Sequence, residues 1–289
     1  MDGVLIVDKP PGMTSHDVVD AVRARLGTKR VGHAGTLDPD ATGVLILGLG
    51  AATRLLSVLQ NQPKSYRAAA RFGSSTTTQD ASGEVVRERA AAHLEESAVS
   101  AALARFTGAI EQIPPMVSAV KVGGERLYRK ALRGEEVERA ARAVTVYRFD
   151  LVGFTPGESP DAVFEIDCSA GTYVRTLVHD LGEALGTGAH LTSLRRTAAG
   201  GFDESECVDL ERVAPEDVRP LLDAVVALPR VEVDADQARL VSDGRALDPA
   251  RVPHAPPAGT LFAVVHRERL LALYERKGDE LRADRVMPR

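Results

Sequence analysis

One run constrains what this chain can fold into: Gly32-His33-Ala34-Gly35-Thr36-Leu37-Asp38-Pro39-Asp40-Ala41-Thr42-Gly43. Three glycines and a proline keep it from being a regular helix or strand throughout, and force backbone conformations suited to close approach by a ligand. Asp38 precedes Pro39, which biases it to an extended conformation outside a helix. No GK[ST] follows the glycines, so this is not a phosphate-cradling P-loop. Two readings of the residues stand side by side: an Asp-Pro turn in which Asp38 caps the next element, and a ligand loop built around a functional carboxylate.

The flanks are built for regular structure. Gly3 to Val7 reads as a short buried strand closed by the turn Lys9-Pro10-Pro11-Gly12. Thr14 or Ser15 caps a helix with Val18, Val19, Val22 and Leu26 on its apolar face, and Gly27 ends it. The apolar run Val44 to Leu49 follows the loop. Tyr66 to Phe72, Val144 to Leu151 and Val163 to Cys168 have strand composition, with Phe164, Ile166 and Cys168 alternating with polar residues. Val174, Leu177, Val178, Leu181, Ala184 and Leu185 recur at helical spacing. Strands and helices mix without a steady βαβ rhythm, so the expected class is α+β, a mixed or antiparallel sheet flanked by helices. Leu221 to Asp234 reads as a boundary. Beyond it, Phe262 to Val265 and Leu270 to Tyr274 are strands of a small β-rich unit with a Pro-rich loop from Pro253 to Gly259.

Composition narrows the class. There is no apolar run of about 18 residues to span a membrane, and Met1-Asp2-Gly3 with the short run Val4 to Val7 makes no signal peptide. Cys168 and Cys207 form no CxxC pair, so neither a disulfide framework nor a zinc site is expected, and a reducing cytoplasm fits. The net charge of −5 is unevenly spread: Phe202 to Asp236 holds eleven Asp/Glu against three Arg, a local −8 that leaves +3 on the rest. Basic residues gather at Arg23, Arg25, Lys29 and Arg30, at Lys64, Arg67 and Arg71, and from Lys121 to Arg142, where glutamates are interleaved. Such clusters suit a phosphate backbone or a solvated helix face. The acidic stretch reads as solvated surface.

With its neighbours, the loop resembles a known family. GHAGTLDPDATGVL is similar to the signature GHTGTLDPLATGVL of the TruB family of pseudouridine synthases. The opening Gly3 to Ser15 resembles that family's N-terminal segment. Lys64-Ser-Tyr66 and the Gly73 to Gly83 stretch with Asp80 match its next block. Gln112 to Lys121 with Arg126-Leu-Tyr128 match the third, and Gly171-Thr-Tyr173-Val-Arg175 with Asp180 and Leu194-Arg-Arg196 the fourth. The blocks keep the family's order over roughly residues 1 to 200.

The resemblance implies a pseudouridine synthase catalytic domain over residues 1–228 and a PUA-like RNA-binding domain over 231–289. It implies an enzyme that isomerises uridine 55 in the T-loop of tRNA by base flipping, glycosidic cleavage and reattachment through C5. No metal or nucleotide cofactor is called for. Asp38 matches the catalytic carboxylate, a group able to attack or to accept a proton. Tyr66 matches the tyrosine that stacks on the flipped base, Tyr173 a second pocket tyrosine, and Arg175 the arginine that pairs with Asp38 and would lower its pKa. His33 matches a residue that fills space left by flipped nucleotides. Asp80 and Leu194 also fall on substrate-binding positions, while Lys9, Pro10, Gly35 and Thr36 support the loop. The implied partner is tRNA, through its T-loop and acceptor side, bound by a cytoplasmic monomer.

Three positions depart from the family's pattern: Ala34, Val117 and Asp40, the last standing where a leucine is usual. Two carboxylates facing one pocket would repel, so Asp40 is expected to point to solvent or to a basic neighbour. An RNA folding factor acting without chemistry is the alternative function, and Asp38, Tyr66, Tyr173 and Arg175 together argue against it. A glycoside hydrolase using Asp38 and Asp40 is disfavoured, because alternate residues of an extended loop point to opposite sides.

Overall fold

A computed structural model of the protein describes residues 1–116, 121–122, 125–126, 137–252 and 255–288; Val117, Tyr128 and Pro253 lie outside them. Ten strands form one sheet. In chain order they are β1 (Gly3–Lys9), β2 (Val31–His33), β3 (Thr42–Leu49), β4 (Lys64–Phe72), β5 (Gly108–Gln112), β6 (Arg142–Thr155), β7 (Asp161–Cys168), β8 (Ala189–Ala199), β9 (Phe202–Asp203) and β10 (Val208–Asp209). The spatial order is β10-β1-β3-β8-β4-β7-β6-β5, with β2 beside β3 and β9 beside β8. The pairs β10–β1 and β3–β8 are parallel and the others along that path antiparallel. The expected mixed sheet is therefore present.

Both faces of the sheet are covered, which explains why β1 and β3 read as unbroken apolar runs. Leu5, Val7, Leu45, Leu47 and Leu49 point to helix α1 (Ser15–Leu26) and meet Val18, Val19 and Val22. Thr14 caps α1, accepting from the Asp17 backbone N–H while the Asp17 carboxylate accepts from Thr14 in return. Val4, Ile6, Val44 and Ile46 point the other way. Helix α2 (Leu56–Gln60) follows β3, and helix α3 (Glu96–Leu103) packs with helix α4 (Val174–Ala184) over β4, β6, β7 and β8.

A second sheet of four strands, β11 (Arg230–Glu232), β12 (Leu261–His266), β13 (Arg269–Lys277) and β14 (Glu280–Val286), carries helix α5 (Ala235–Ser242). It is docked on the larger sheet rather than tethered. Ala263, Val265, Leu270, Leu273 and Met287 share one apolar cluster with Val4, Ile6, Val44 and Ile46. At the edge, Arg54 donates to the Val286 carbonyl and Arg285 to Ser57.

The acidic stretch is more than solvated surface. Glu204 pairs with Arg195, while Glu206 and Asp223 both pair with Arg219, whose guanidinium also lies 5.1 Å from the Phe202 ring centre. The second basic cluster also differs from an open phosphate-binding patch. Arg67 pairs with Glu165, Arg71 with Asp161, and Lys64 is buried.

The parallel seam between β3 and β8 positions the signature loop, which ends where β3 begins. Gly43 sits opposite Arg196 with φ of +98°, and a Cβ there would stand 2.2 Å from the Arg196 carbonyl oxygen. No L side chain fits that conformation or that space. Gly43→Ala is expected to cost at least about 3 kcal/mol of stability, read from the midpoint of urea unfolding. An unchanged midpoint would mean that the seam is not tightly packed.

Candidate active site

The loop is held from below before it presents any chemistry. Lys9, 0% exposed at the end of β1, donates from Nζ to the carbonyls of Pro10 and Pro39, both at 2.8 Å. Ser15, at the start of α1, accepts from the Leu37 N–H at 2.9 Å and donates to the Leu37 carbonyl. Gly35 is buried with φ of +107°, and its carbonyl accepts from Arg196 Nη2 at 3.3 Å. Asp38 is thus clamped on both sides through Leu37 and Pro39.

Helix α4 supplies its partner. The strand β7 ends at Cys168, and the following turn delivers Tyr173 to the helix start and Arg175 to the first turn. Gln112 fixes that entry by accepting from the Tyr173 N–H and donating to its carbonyl. Arg175, whose side chain is 4% exposed, grips Asp38 with two bonds, Nε to Oδ2 at 3.0 Å and Nη2 to Oδ1 at 3.1 Å. This planar fork fixes the carboxylate's orientation as well as its charge. Nη1 donates to the Thr78 carbonyl at 3.0 Å and meets Asp80 Oδ2 at 3.3 Å. Asp80 is held in turn by the hydroxyls of Thr78 and Ser82 and the Ser82 N–H.

Asp38, Gly35, Thr36, Tyr66, Tyr173, Arg175 and Leu194 line one cavity of about 360 Å³, within the range of small-ligand sites. Asp80, Lys9 and Pro10 stand behind it, the first against Arg175 and the others under the loop. His33 ends β2, paired with Leu47, and does not line the cavity. Among the described residues no three His, Cys, Asp or Glu side chains converge as a metal ion would require. The sequence reading passed over Lys64 and Arg196 as site residues, although both lie in its matched blocks, and both line the cavity. The signal available was their side of the strand: Lys64 and Tyr66 share one face of β4.

One electrostatic expectation is corrected. Arg175 does not bring the Asp38 carboxyl below its ordinary value. Withdrawal from water pushes it up, the Arg175 guanidinium offsets this only in part, and Asp80 pushes it up further. Asp38 keeps 40% of its side chain open toward the cavity, with protein crowding its other sides. The same withdrawal from water brings the Lys9 ammonium down to about 8, against the pull of Asp40 and Asp38. Asp40 itself is exposed and acts on Lys9, while the carboxylate that acts on Asp38 is Asp80. Removing Asp80's charge removes a raising influence, so Asp80→Asn is expected to move the acidic limb of the pH–rate profile to lower pH. Asp40→Leu should leave that limb in place. The reverse pattern would show that Asp40, not Asp80, is coupled to Asp38.

Comparison with known proteins fits this geometry. Residues 23–174 match the TruB family pseudouridylate synthase (N terminal domain), and residues 175–227 match the tRNA pseudouridylate synthase B C-terminal domain. A protein of Thermobifida fusca (strain YX) named tRNA pseudouridine synthase B is 50% identical over 283 residues, 96% of this chain and 95% of that protein. One of the same name from Symbiobacterium thermophilum is 52% identical over 246 residues, 84% of this chain and 82% of that one. Among solved structures, a chain of "Crystal Structure of a Cbf5-Nop10-Gar1 Complex" is 30% identical with a TM-score of 0.78, covering 99% of this chain and 85% of that one. A chain of "Structure of H/ACA RNP bound to a substrate RNA containing 2'-deoxyuridine" is 25% identical with a TM-score of 0.75, at the same two coverages. A mixed sheet flanked by helices, a smaller β-rich sheet behind it, and family matches running from residue 23 to residue 227 give one conclusion: this chain belongs to the TruB family of pseudouridylate synthases.

Proposed function

We propose that this chain isomerises a uridine of tRNA to pseudouridine, the reaction its relatives are named for, at uridine 55 of the T-loop. The observation that carries the reading is the Asp38–Arg175 pair inside a cavity walled by Tyr66, Tyr173 and Leu194. A base within folded RNA reaches such a carboxylate only when flipped out, and an aromatic face then replaces its lost stacking. Tyr66 is the stacking face, Tyr173 and Leu194 enclose the base, and Asp38 is the reacting carboxylate. Asp80 steadies Arg175 behind it. His33, outside the cavity, fills space vacated by the flipped nucleotides, and Lys9, Pro10, Gly35 and Thr36 hold the loop.

The reaction is an isomerisation in which no atom is gained and nothing is oxidised, so the residues of the cavity suffice for its proton and bond exchanges. Residues 1–228 form the catalytic unit in this reading. Residues 231–289 are a PUA-like unit that reaches the acceptor side of a tRNA, and the protein works as a cytoplasmic monomer. Among the described residues no helix is long and apolar enough to cross a membrane. The test is to incubate the purified chain with an unmodified tRNA transcript and map pseudouridine along it. Product confined to uridine 55 is expected. Tight tRNA binding without product would replace this reading with that of an RNA folding factor.

A further inference from the structure

Two buried cations on the cavity wall have no part in the chemistry described so far. Lys64, on β4, is 7% exposed; Arg196, on β8, is 1% exposed, and the sheet register sets it opposite Tyr66. Among the described residues neither forms an ion pair with a carboxylate. Lys64 Nζ donates to the carbonyls of Gln60 and Gln62 at 2.7 and 2.8 Å, and Arg196 Nε and Nη2 donate to those of Val44 and Gly35. Carbonyl dipoles ease the burial of a cation but do not cancel its charge, and buried charge normally has a counter-charge. The charge of Asp38, which lines the same cavity, is already met by Arg175. Among the described residues, the wall of Lys64 and Arg196 therefore carries excess positive charge facing the cavity.

We infer that Lys64 and Arg196 hold the negative charge of the detached uracil during the isomerisation. This rests on the reading given under Proposed function. Breaking the C1′–N1 bond leaves its electron pair on the base, which departs as an anion with charge over N1, O2 and O4. Asp38 meets the electron deficit of the sugar. C5 then bonds to C1′, the C5 proton leaves, and N1 takes up a proton, so the product has the atoms of the substrate. A cation placed beforehand where charge develops favours the cleavage over the resting state. A phosphate is the other anion an RNA offers, but phosphates belong to a backbone that stays at the rim, whereas these cations lie in the wall beside Tyr66. Burial lowers the Lys64 ammonium to about 8, with Arg196 adding to the effect and Cys168 opposing it, so the group is still largely charged at neutral pH.

The test is the single-turnover rate of C1′–N1 cleavage at about pH 6.5, where Lys64 is charged, on tRNA carrying uridine or 5-fluorouridine at the target. Fluorine withdraws electrons, so the fluorinated base needs less help as an anion. Lys64→Met is expected to slow cleavage of the uridine substrate about 100-fold with tRNA affinity within about two-fold, and the loss should shrink to about tenfold or less on 5-fluorouridine. Lys64→Arg, which keeps the charge, should restore most of the rate. If Lys64→Met does not fold, Lys64→Gln keeps an N–H for the Gln60 and Gln62 carbonyls and tests the charge alone. Equal losses on both substrates, or a loss of affinity instead of rate, would overturn the inference and leave Lys64 as a phosphate contact or a brace for the Gln60–Gln62 turn. Wild type without activity on either substrate would instead overturn the proposed function itself.

Discussion

Asp38→Asn is expected to lower the single-turnover rate of pseudouridine formation by at least about 10⁴-fold, the scale on which enzymes lose a group that enters the chemistry. Asparagine keeps the size of the side chain and can still accept one bond from Arg175, but it offers neither a nucleophilic oxygen nor a base. The fold should survive. The carboxyl's folded value is raised, so its ionised form is disfavoured by folding, and this group's contribution falls as pH rises through that folded value. Replacing it with a neutral amide removes that penalty at neutral pH, and Arg175 keeps its contact with Asp80. tRNA affinity is expected to stay within about threefold of wild type, because phosphate-backbone contacts generally dominate the affinity of a protein for a nucleic acid and this substitution touches none of the basic clusters. Measured together, rate, affinity and thermal midpoint separate a chemical role for Asp38 from a structural one.

Arg175→Met should have the second-largest effect, and on both activity and stability. Among the described residues, its guanidinium alone bridges Asp38, Asp80 and the Thr78 carbonyl. Without it the two carboxylates lose the cation between them, and Lys9 alone of the described cations acting on Asp38 still opposes the rise, so Asp38 is pushed further up. The acidic limb of the pH–rate profile then moves to higher pH, opposite in sign to the shift expected for Asp80→Asn. Breaking a buried ion pair from one side costs about 3 kcal/mol, at the low end of the usual figure because Asp38 keeps contact with solvent. The rate at neutral pH should fall by about 10³-fold as the carboxylate loses both orientation and ionisation. Arg175→Lys keeps the charge but not the fork, and should recover the pH profile better than the rate.

Much of this was legible in the residues because local rules and the global fold agree. Alternation in Val163 to Cys168, the helical spacing from Val174, and Thr14 or Ser15 ahead of an apolar face each named an element correctly. The run of β1 named a strand while that of β3 read only as an apolar run, and neither told that both faces are covered, because periodicity is silent where every residue is buried. The docking of the small sheet was equally hidden, since Val4, Ala263 and Met287 meet only in the folded chain. At the site, the resemblance found cavity residues on the loop, on the helix and on the strands, Tyr66 on β4 and Leu194 on β8 among them. It passed over Lys64 and Arg196 on those same strands, because two buried cations beside the cavity are visible only once β8 is in register with β4 and β3. The sign of the Asp38 shift was misjudged for a related reason. A single partner can be named from sequence, but the balance between that partner, the lost water and a second carboxylate depends on three-dimensional placement.

The most direct measurement is conversion of the target uridine in one tRNA transcript, at excess enzyme, by wild type, Asp38→Asn and Asp40→Asn side by side. Wild type and Asp40→Asn should both yield pseudouridine at that position, and Asp38→Asn none within many wild-type half-times. Undiminished product from Asp38→Asn would contradict the role given to this carboxylate, and loss of product with Asp40→Asn alone would move the chemistry to the exposed neighbour.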